Sequence, residues 1–264
     1  MNYFDKVKRL VVKVGTSTLT HETGKLNLRR MDHLARVLSD LRNRGIEIIL
    51  VSSGAIGVGV GKLKLPAKPH DIGGRQACAA VGQCELMYIY DKLFGEYGHV
   101  TAQILLTRDC VDDRWRLQNI RNAFERLLDM GALPIVNEND TVSTEEIEFG
   151  DNDTLSAVVA KVVHADALVI MSDIDGLYTA NPASDPDAKL IPVVTELTED
   201  TRRIAGGAGS SRGTGGMYTK IIAAEQATQA GITMAIINGA QPENLYDLLS
   251  GKEIGTVFTA QGRA

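Results

Sequence analysis

Two compact polar clusters carry the residue types that could do chemistry. They are Asn137-Glu138-Asn139-Asp140 and, after nine intervening residues, Gly150-Asp151-Asn152-Asp153. Amide and carboxylate side chains at this density can hydrogen-bond a free amino group. Local readings compete with that one. Asn and Asp side chains mimic backbone turns, and Asp153 could serve only as the N-cap of a following helix, a role Asn fills nearly as well. Two clusters, one on each side of a short acidic excursion, favour a site over two unrelated turns. Two lysines add positive charge. Lys13 interrupts the β-branched run Leu10-Val11-Val12-Lys13-Val14, which ends in Gly15-Thr16-Ser17. Its stem could pack while its head escapes to solvent. A strand otherwise apolar on both faces makes a ligand-facing lysine an equal reading. Lys220 follows the most glycine-dense stretch of the chain, residues 205–217.

The elements that position these groups can be read from periodicity. Ala132 to Val136 is an apolar run that reads as a buried strand, and a helical pattern starts at Thr154. The clusters therefore sit between a strand's C-terminal end and a helix's N-terminal end, where open α/β sheets bind ligands. Further strands are expected at Leu10–Val14, Ile46–Val51, Val100–Leu106, Ala167–Met171, Ile191–Leu197, Gly231–Ile237 and Thr256–Phe258. Helices are expected at 27–44, with Asn27 as cap and Gly45 as stop, then at 76–94, 114–130, from 154, around Lys220 and at 243–249. The stretch Ser52 to Gly61 reads as a glycine-rich loop whose amides could approach an anion, although glycine also serves plain turns. Residues 141–149 read as an exposed hairpin or flap with solvated glutamates. Strands alternating with helices predict a three-layer α/β/α sandwich with a mainly parallel central sheet.

Composition narrows the function classes. The 264 residues carry a formal net charge of -5, with 44% hydrophobic and 23% charged residues, which suits a globular protein. No global basic field favours nucleic acid. No apolar run approaches the ~20 residues needed to span a bilayer, and the N-terminus lacks a signal-peptide core. Cys78, Cys84 and Cys110 show no metal-type spacing, and Cys78 and Cys84 read as small core residues of one helix. His21, His33, His70, His99 and His164 adjoin no nucleophile–acid partners. Rossmann and P-loop spacings are absent. What remains is anion handling by backbone amides, two cations and a few carboxylates. Phosphoryl transfer needs little more, since its catalysis is mainly positioning and charge stabilisation.

Five motifs then carry a resemblance: Val12-Lys13-Val14-Gly15-Thr16-Ser17, Val51-Ser52-Ser53-Gly54-Ala55-Ile56, the two Asn/Asp clusters, and Gly213-Thr214-Gly215-Gly216-Met217-Tyr218-Thr219-Lys220. In type and order they resemble the amino-acid kinase family, over nearly the whole chain. The resemblance implies ATP-dependent phosphorylation of the γ-carboxylate of L-glutamate, the first step of proline synthesis. It makes Lys13, Asp153 and Lys220 the catalytic group, with Asp153 orienting both lysines. Ser53, Asp140, Asn152 and Asn137 would hold glutamate. Lys13, Ser172, Asp173, Thr214, Gly215, Gly216, Met217, Tyr218, Thr219 and Lys220 would line the ATP site. Mg²⁺ would ride on the ATP phosphates, with no dedicated protein metal site. The family also implies a cytoplasmic homo-oligomer, dimer or tetramer, often inhibited by proline. Many members append a PUA domain; here one kinase domain over residues 1–264 is expected, without it. Acetylglutamate, carbamate, aspartate and uridylate kinases share the fold but differ in the substrate clusters. A non-catalytic glutamate or proline sensor on the same scaffold is the rival from another class, and the presence of Lys13, Asp153 and Lys220 together argues against it.

Overall fold

The strand Arg9–Val14 (β1) sends its side chains alternately to two different cores. Leu10, Val12 and Val14 join one cluster, Val11 the other. The pleat has a period of two, so Lys13 faces the same side as Val11. In this computed structural model, which describes residues 2–21, 23, 25–142, 152–206 and 216–260, β1 lies at the centre of an eight-stranded sheet. The other strands are Glu47–Val51 (β2), Thr101–Leu106 (β3), Leu133–Glu138 (β4), Ala167–Ser172 (β5), Val193–Val194 (β6), Thr233–Asn238 (β7) and Thr256–Phe258 (β8). Their order is β3-β4-β2-β1-β5-β7-β8-β6. All pairings are parallel except β7 with β8. The chain fills one side of β1 with β2, β3 and β4, then crosses to β5 on the other. Such a reversal leaves a crevice at the carboxyl ends of the central strands.

The described helices are Thr16–Leu19 (α1), Leu28–Asn43 (α2), Ala55–Lys62 (α3), Ile72–Gly95 (α4), Arg108–Asp112 (α5), Arg114–Asp129 (α6), Asn152–Val162 (α7), Glu199–Ala205 (α8), Met217–Gln229 (α9) and Asn244–Leu249 (α10). One face of the sheet packs on Leu34, Leu38 and Leu41 of α2, on Leu86, Tyr90 and Phe94 of α4 and on Leu245 and Leu248 of α10. The other packs on Phe124 of α6, on Leu155 and Val159 of α7 and on Ala223, Ala224 and Ala227 of α9. The three layers expected from alternation are therefore present. None of the described helices is long and apolar enough to cross a membrane.

Several expectations need correction. The glycine-rich stretch after β2 is not a loop: after Gly54, in the left-handed region at φ 90°, it winds into α3. Gly59 within it, and Gly82 of α4 opposite, serve helix packing instead. A Cβ on Gly59 would lie 1.9 Å from the Cys78 carbonyl oxygen, and one on Gly82 would lie 1.8 Å from that of Ala55. The backbones of α3 and α4 thus touch, which only glycine permits at those positions. The helix expected from Gln76 starts at Ile72, because Asp71 caps it by accepting from the Gly74 amide at 2.7 Å. Only Val193 and Val194 of the run 191–197 form a strand. Cys78 is buried as expected, but Cys84 is exposed. Six residues turn a helix by about 600°, so the two thiols face apart. The short helices α1, α5 and α8 span too few turns to show a period. Residues 143–149 of the expected flap lie outside the described residues.

Candidate active site

Lys13 reaches the α7–α9 side of the sheet because alternation along β1 sends it there. Two helix starts meet it. Asp153 sits in the first turn of α7 and Lys220 in the first turn of α9. Asp153 is fully buried, and Lys13 and Lys220 are only 4% and 5% exposed. Lys13 Nζ lies 2.6 Å from Asp153 Oδ1. Lys220 Nζ donates to Asp153 Oδ2 at 3.0 Å, and Thr219 Oγ1 donates to the same oxygen at 3.0 Å. Asp153 is therefore not the cap of α7, since groups from β1 and α9 take both its oxygens. Burial alone would raise the Asp153 carboxyl; the two ammonium groups outweigh it and hold the group below the ordinary carboxylate range. Both ammonium groups also line a cleft, where held donors can face an anion without rearrangement.

The second Asn cluster extends the site along the carboxyl ends of the strands. Asn152 Nδ2 donates to the Ser52 carbonyl at 2.7 Å, to Asn137 Oδ1 at 2.8 Å and to Ser53 Oγ at 3.0 Å. Asn137, 1% exposed, donates through Nδ2 to Gln83 Oε1 at 2.8 Å. Ser52 Oγ and the buried Tyr90 hydroxyl share a hydrogen bond of 3.0 Å. Burial pushes the Tyr90 phenol up, so it stays protonated as a structural group.

A cleft of about 590 Å³ joins these groups. Lys13, Lys220, Ser53, Asn137, Asp140, Asn152, Ser172 and Asp173 all line it, eight residues singled out from the sequence. Ser172 Oγ donates to Asp173 Oδ1 at 3.1 Å. Asp153 lies behind the lysines rather than on the wall. Gly216, Met217, Tyr218 and Thr219 stand at the start of α9 but not among the lining residues, and Tyr218 is 52% exposed. Thr214 and Gly215 lie outside the described residues, as do Gly150 and Asp151. Sequence reasoning missed Lys68 and Arg75, which line the cleft from the α4 side. It also missed Gln83 and Tyr90, whose polar atoms hide inside a mostly apolar helix. A polar residue spaced to face a helix's buried side is the signal that marks them.

Cations, amides and carboxylates together line this cleft. Such a site can carry an anion between two bound molecules. Fold and site together define a family, and comparison agrees. The model of the amino acid kinase family matches residues 8–238, and the chain belongs to that family. Within it, the chain is 56% identical to the glutamate 5-kinase of Clostridium perfringens over 258 residues, 96% of each chain. It is 53% identical to that of Clostridium acetobutylicum, over 99% of this chain and 98% of the relative. The glutamate 5-kinase of Listeria monocytogenes is 54% identical, with 96% and 94% covered. Solved structures show the fold alone. An isopentenyl phosphate kinase from T. acidophilum superposes with a TM-score of 0.65 at 18% identity, covering 95% of this chain and 99% of that one. A UMP kinase from Ureaplasma parvum gives 0.66 at 12% identity, covering 96% and 99%.

Proposed function

We propose that this chain transfers the γ-phosphoryl group of MgATP to the γ-carboxylate of L-glutamate, giving L-glutamyl 5-phosphate and ADP, the first step of proline biosynthesis. The observation that carries the proposal is the buried Asp153 held between Lys13 and Lys220 at the carboxyl edge of the sheet. In the reaction a carboxylate oxygen of glutamate bonds to the γ-phosphorus as the bond from that phosphorus to the β,γ-bridging oxygen breaks. The nucleophile is already ionised at neutral pH, so no general base is required. Lys13 and Lys220 neutralise the charge spread over the phosphoryl oxygens, and Asp153 fixes their spacing. Ser53, Asn137, Asp140 and Asn152 form the glutamate side. Ser172, Asp173 and the start of α9, with Thr214 and Gly215 before it, form the nucleotide side. Mg²⁺ enters with the nucleotide, bound chiefly by phosphate oxygens. A cytoplasmic homo-oligomer sensitive to proline accompanies this reading by resemblance.

The direct test is glutamate-dependent ADP release, with the acyl phosphate trapped by hydroxylamine as the hydroxamate. Binding of both substrates without ADP would instead mark the chain as a sensor. Asp140 provides a second check. It lines the cleft and, as the partner of the substrate ammonium, its loss removes a charge-assisted hydrogen bond of roughly 1.5–3 kcal/mol. Asp140→Ala is expected to raise the glutamate KM about ten- to a hundredfold, with the ATP KM nearly unchanged. Steady-state kinetics with each substrate varied in turn decides this, and an unchanged glutamate KM would leave Asp140 as a turn residue only.

A further inference from the structure

We propose that Gln83, on α4, is the positioning residue that fixes the polarity of the amide chain forming the glutamate wall. It is not among the residues lining the cleft.

Two backbone groups fix the direction of the chain. The Glu138 amide N–H, which can only donate, gives its hydrogen to Asn137 Oδ1 at 2.9 Å. The Ser52 carbonyl, which can only accept, takes one from Asn152 Nδ2 at 2.7 Å. Both amide orientations therefore follow from the network. With Oδ1 of Asn137 committed to Glu138 and Asn152, its Nδ2 must find an acceptor elsewhere. Gln83 Oε1 provides it at 2.8 Å. At the other end, Asn152 Nδ2 divides its hydrogens among Ser52, Ser53 and Asn137. Asn152 Oδ1 makes no hydrogen bond among the described residues, and Asn152 lines the cleft with Asp140. The chain thus leaves an acceptor oxygen on a residue of the cleft that Asp140 also lines, a pair suited to an ammonium group.

Gln83 can hold this direction because its backbone is immobilised next door. Gly82 brings α4 against the Ala55 carbonyl of α3, and Ala55 follows the Ser53-Gly54 wall of the cleft. An acceptor at position 83 is what the chain needs, and its exact chemistry matters less. The inference rests on the glutamate reading, since it assigns the wall to the substrate's amino end.

The test compares Gln83→Met, near in size but without an acceptor oxygen, with Gln83→Glu, which keeps one. Steady-state kinetics are measured for both substrates beside the wild type, with thermal melts. Gln83→Met is expected to raise the glutamate KM about tenfold and to leave the ATP KM within about twofold. Gln83→Glu should keep the glutamate KM near wild type. A merely structural role would lower the melting temperature without separating the two KM values. A wild-type glutamate KM in Gln83→Met, or equal damage from both substitutions, overturns the inference. Wild-type enzyme with no glutamate-dependent ADP release overturns the glutamate reading instead, so the two failures are distinct.

Discussion

N-Acetyl-L-glutamate is expected to be a poorer substrate than L-glutamate by about four orders of magnitude in kcat/KM. The reason lies in what faces the amino end of the cleft. Asp140 lines it, and Asn152 has spent its Nδ2 hydrogens on Ser52, Ser53 and Asn137. Both groups therefore offer acceptors. A free ammonium supplies three donors and a charge; an acetamide supplies one donor, no charge and added bulk. Bound acetylglutamate would bring no cation to the Asp140 carboxylate, and sites built on hydrogen bonds reject analogues lacking them by ~10⁴ or more. The check is ADP release measured for both compounds over a range that brackets each KM. Comparable kcat/KM values would place this chain with family members that act on acylated substrates.

Asp153→Asn is expected to cut kcat by at least about a hundredfold, with modest changes in either KM. Asp153 makes no contact with the cleft itself, so ground-state binding is largely spared. Its loss instead removes the charge between Lys13 and Lys220, and the two ammonium groups then repel each other where, in the proposed reaction, the phosphoryl oxygens lie. As a helix cap, the residue would be replaceable by Asn at little cost. The buried triad changes that expectation. Removing the Asp153 anion from between two buried ammonium groups costs ~3–5 kcal/mol when no water reaches them, and the cleft beside both lysines moves this toward the lower end. The variant should therefore melt below wild type, and kinetics belong at a temperature where circular dichroism shows it folded. Adding Lys220→Met should restore part of the melting temperature and none of the turnover. Full turnover by folded Asp153→Asn would reduce the residue to a structural brace. The wild-type triad has its own pH signature. The Asp153 carboxyl titrates below its unfolded value of ~3.9, so its contribution to stability is complete above that pH and disappears only as acid protonates the folded form.

The sequence shows where the site lies more clearly than how its parts meet. Lys13 is conspicuous because a charge inside Leu10–Val14 breaks a run that burial otherwise explains. The Asn/Asp clusters are conspicuous because one ends a strand and the other opens a helix. Alternation of strands and helices is enough for the three layers, since periods of 2 and 3.6 residues are written in the apolar positions themselves. Contacts across the chain leave no such trace. Nothing in spacing alone says that Asp153 and Lys220, on α7 and α9, close on Lys13, and that triad was expected from resemblance. The glycines of α3 mislead for a related reason. A glycine in a helix is explained only by the partner helix that presses on it, here Cys78 and Ala55 across the α3–α4 contact. Gln83 hides likewise, as one polar residue in a helix whose neighbours pack.

β1 also carries a second charge cluster, at its other end. Arg9 Nε pairs with Glu47 at 2.7 Å and Nη1 with Glu125 at 2.6 Å. Asp166 accepts the backbone amides of Lys8 and Arg9, each at 2.9 Å. These contacts tie β1 to β2, to α6 and to the residue before β5. Arg9 and Lys13 are four residues apart, roughly 13 Å along the strand. Adaptation to heat and adaptation of rate can therefore draw on separate residues of one strand. The usual conflict, in which a stiffer protein becomes a slower one, loses much of its force when the rivets are set at the end of the strand away from the cleft.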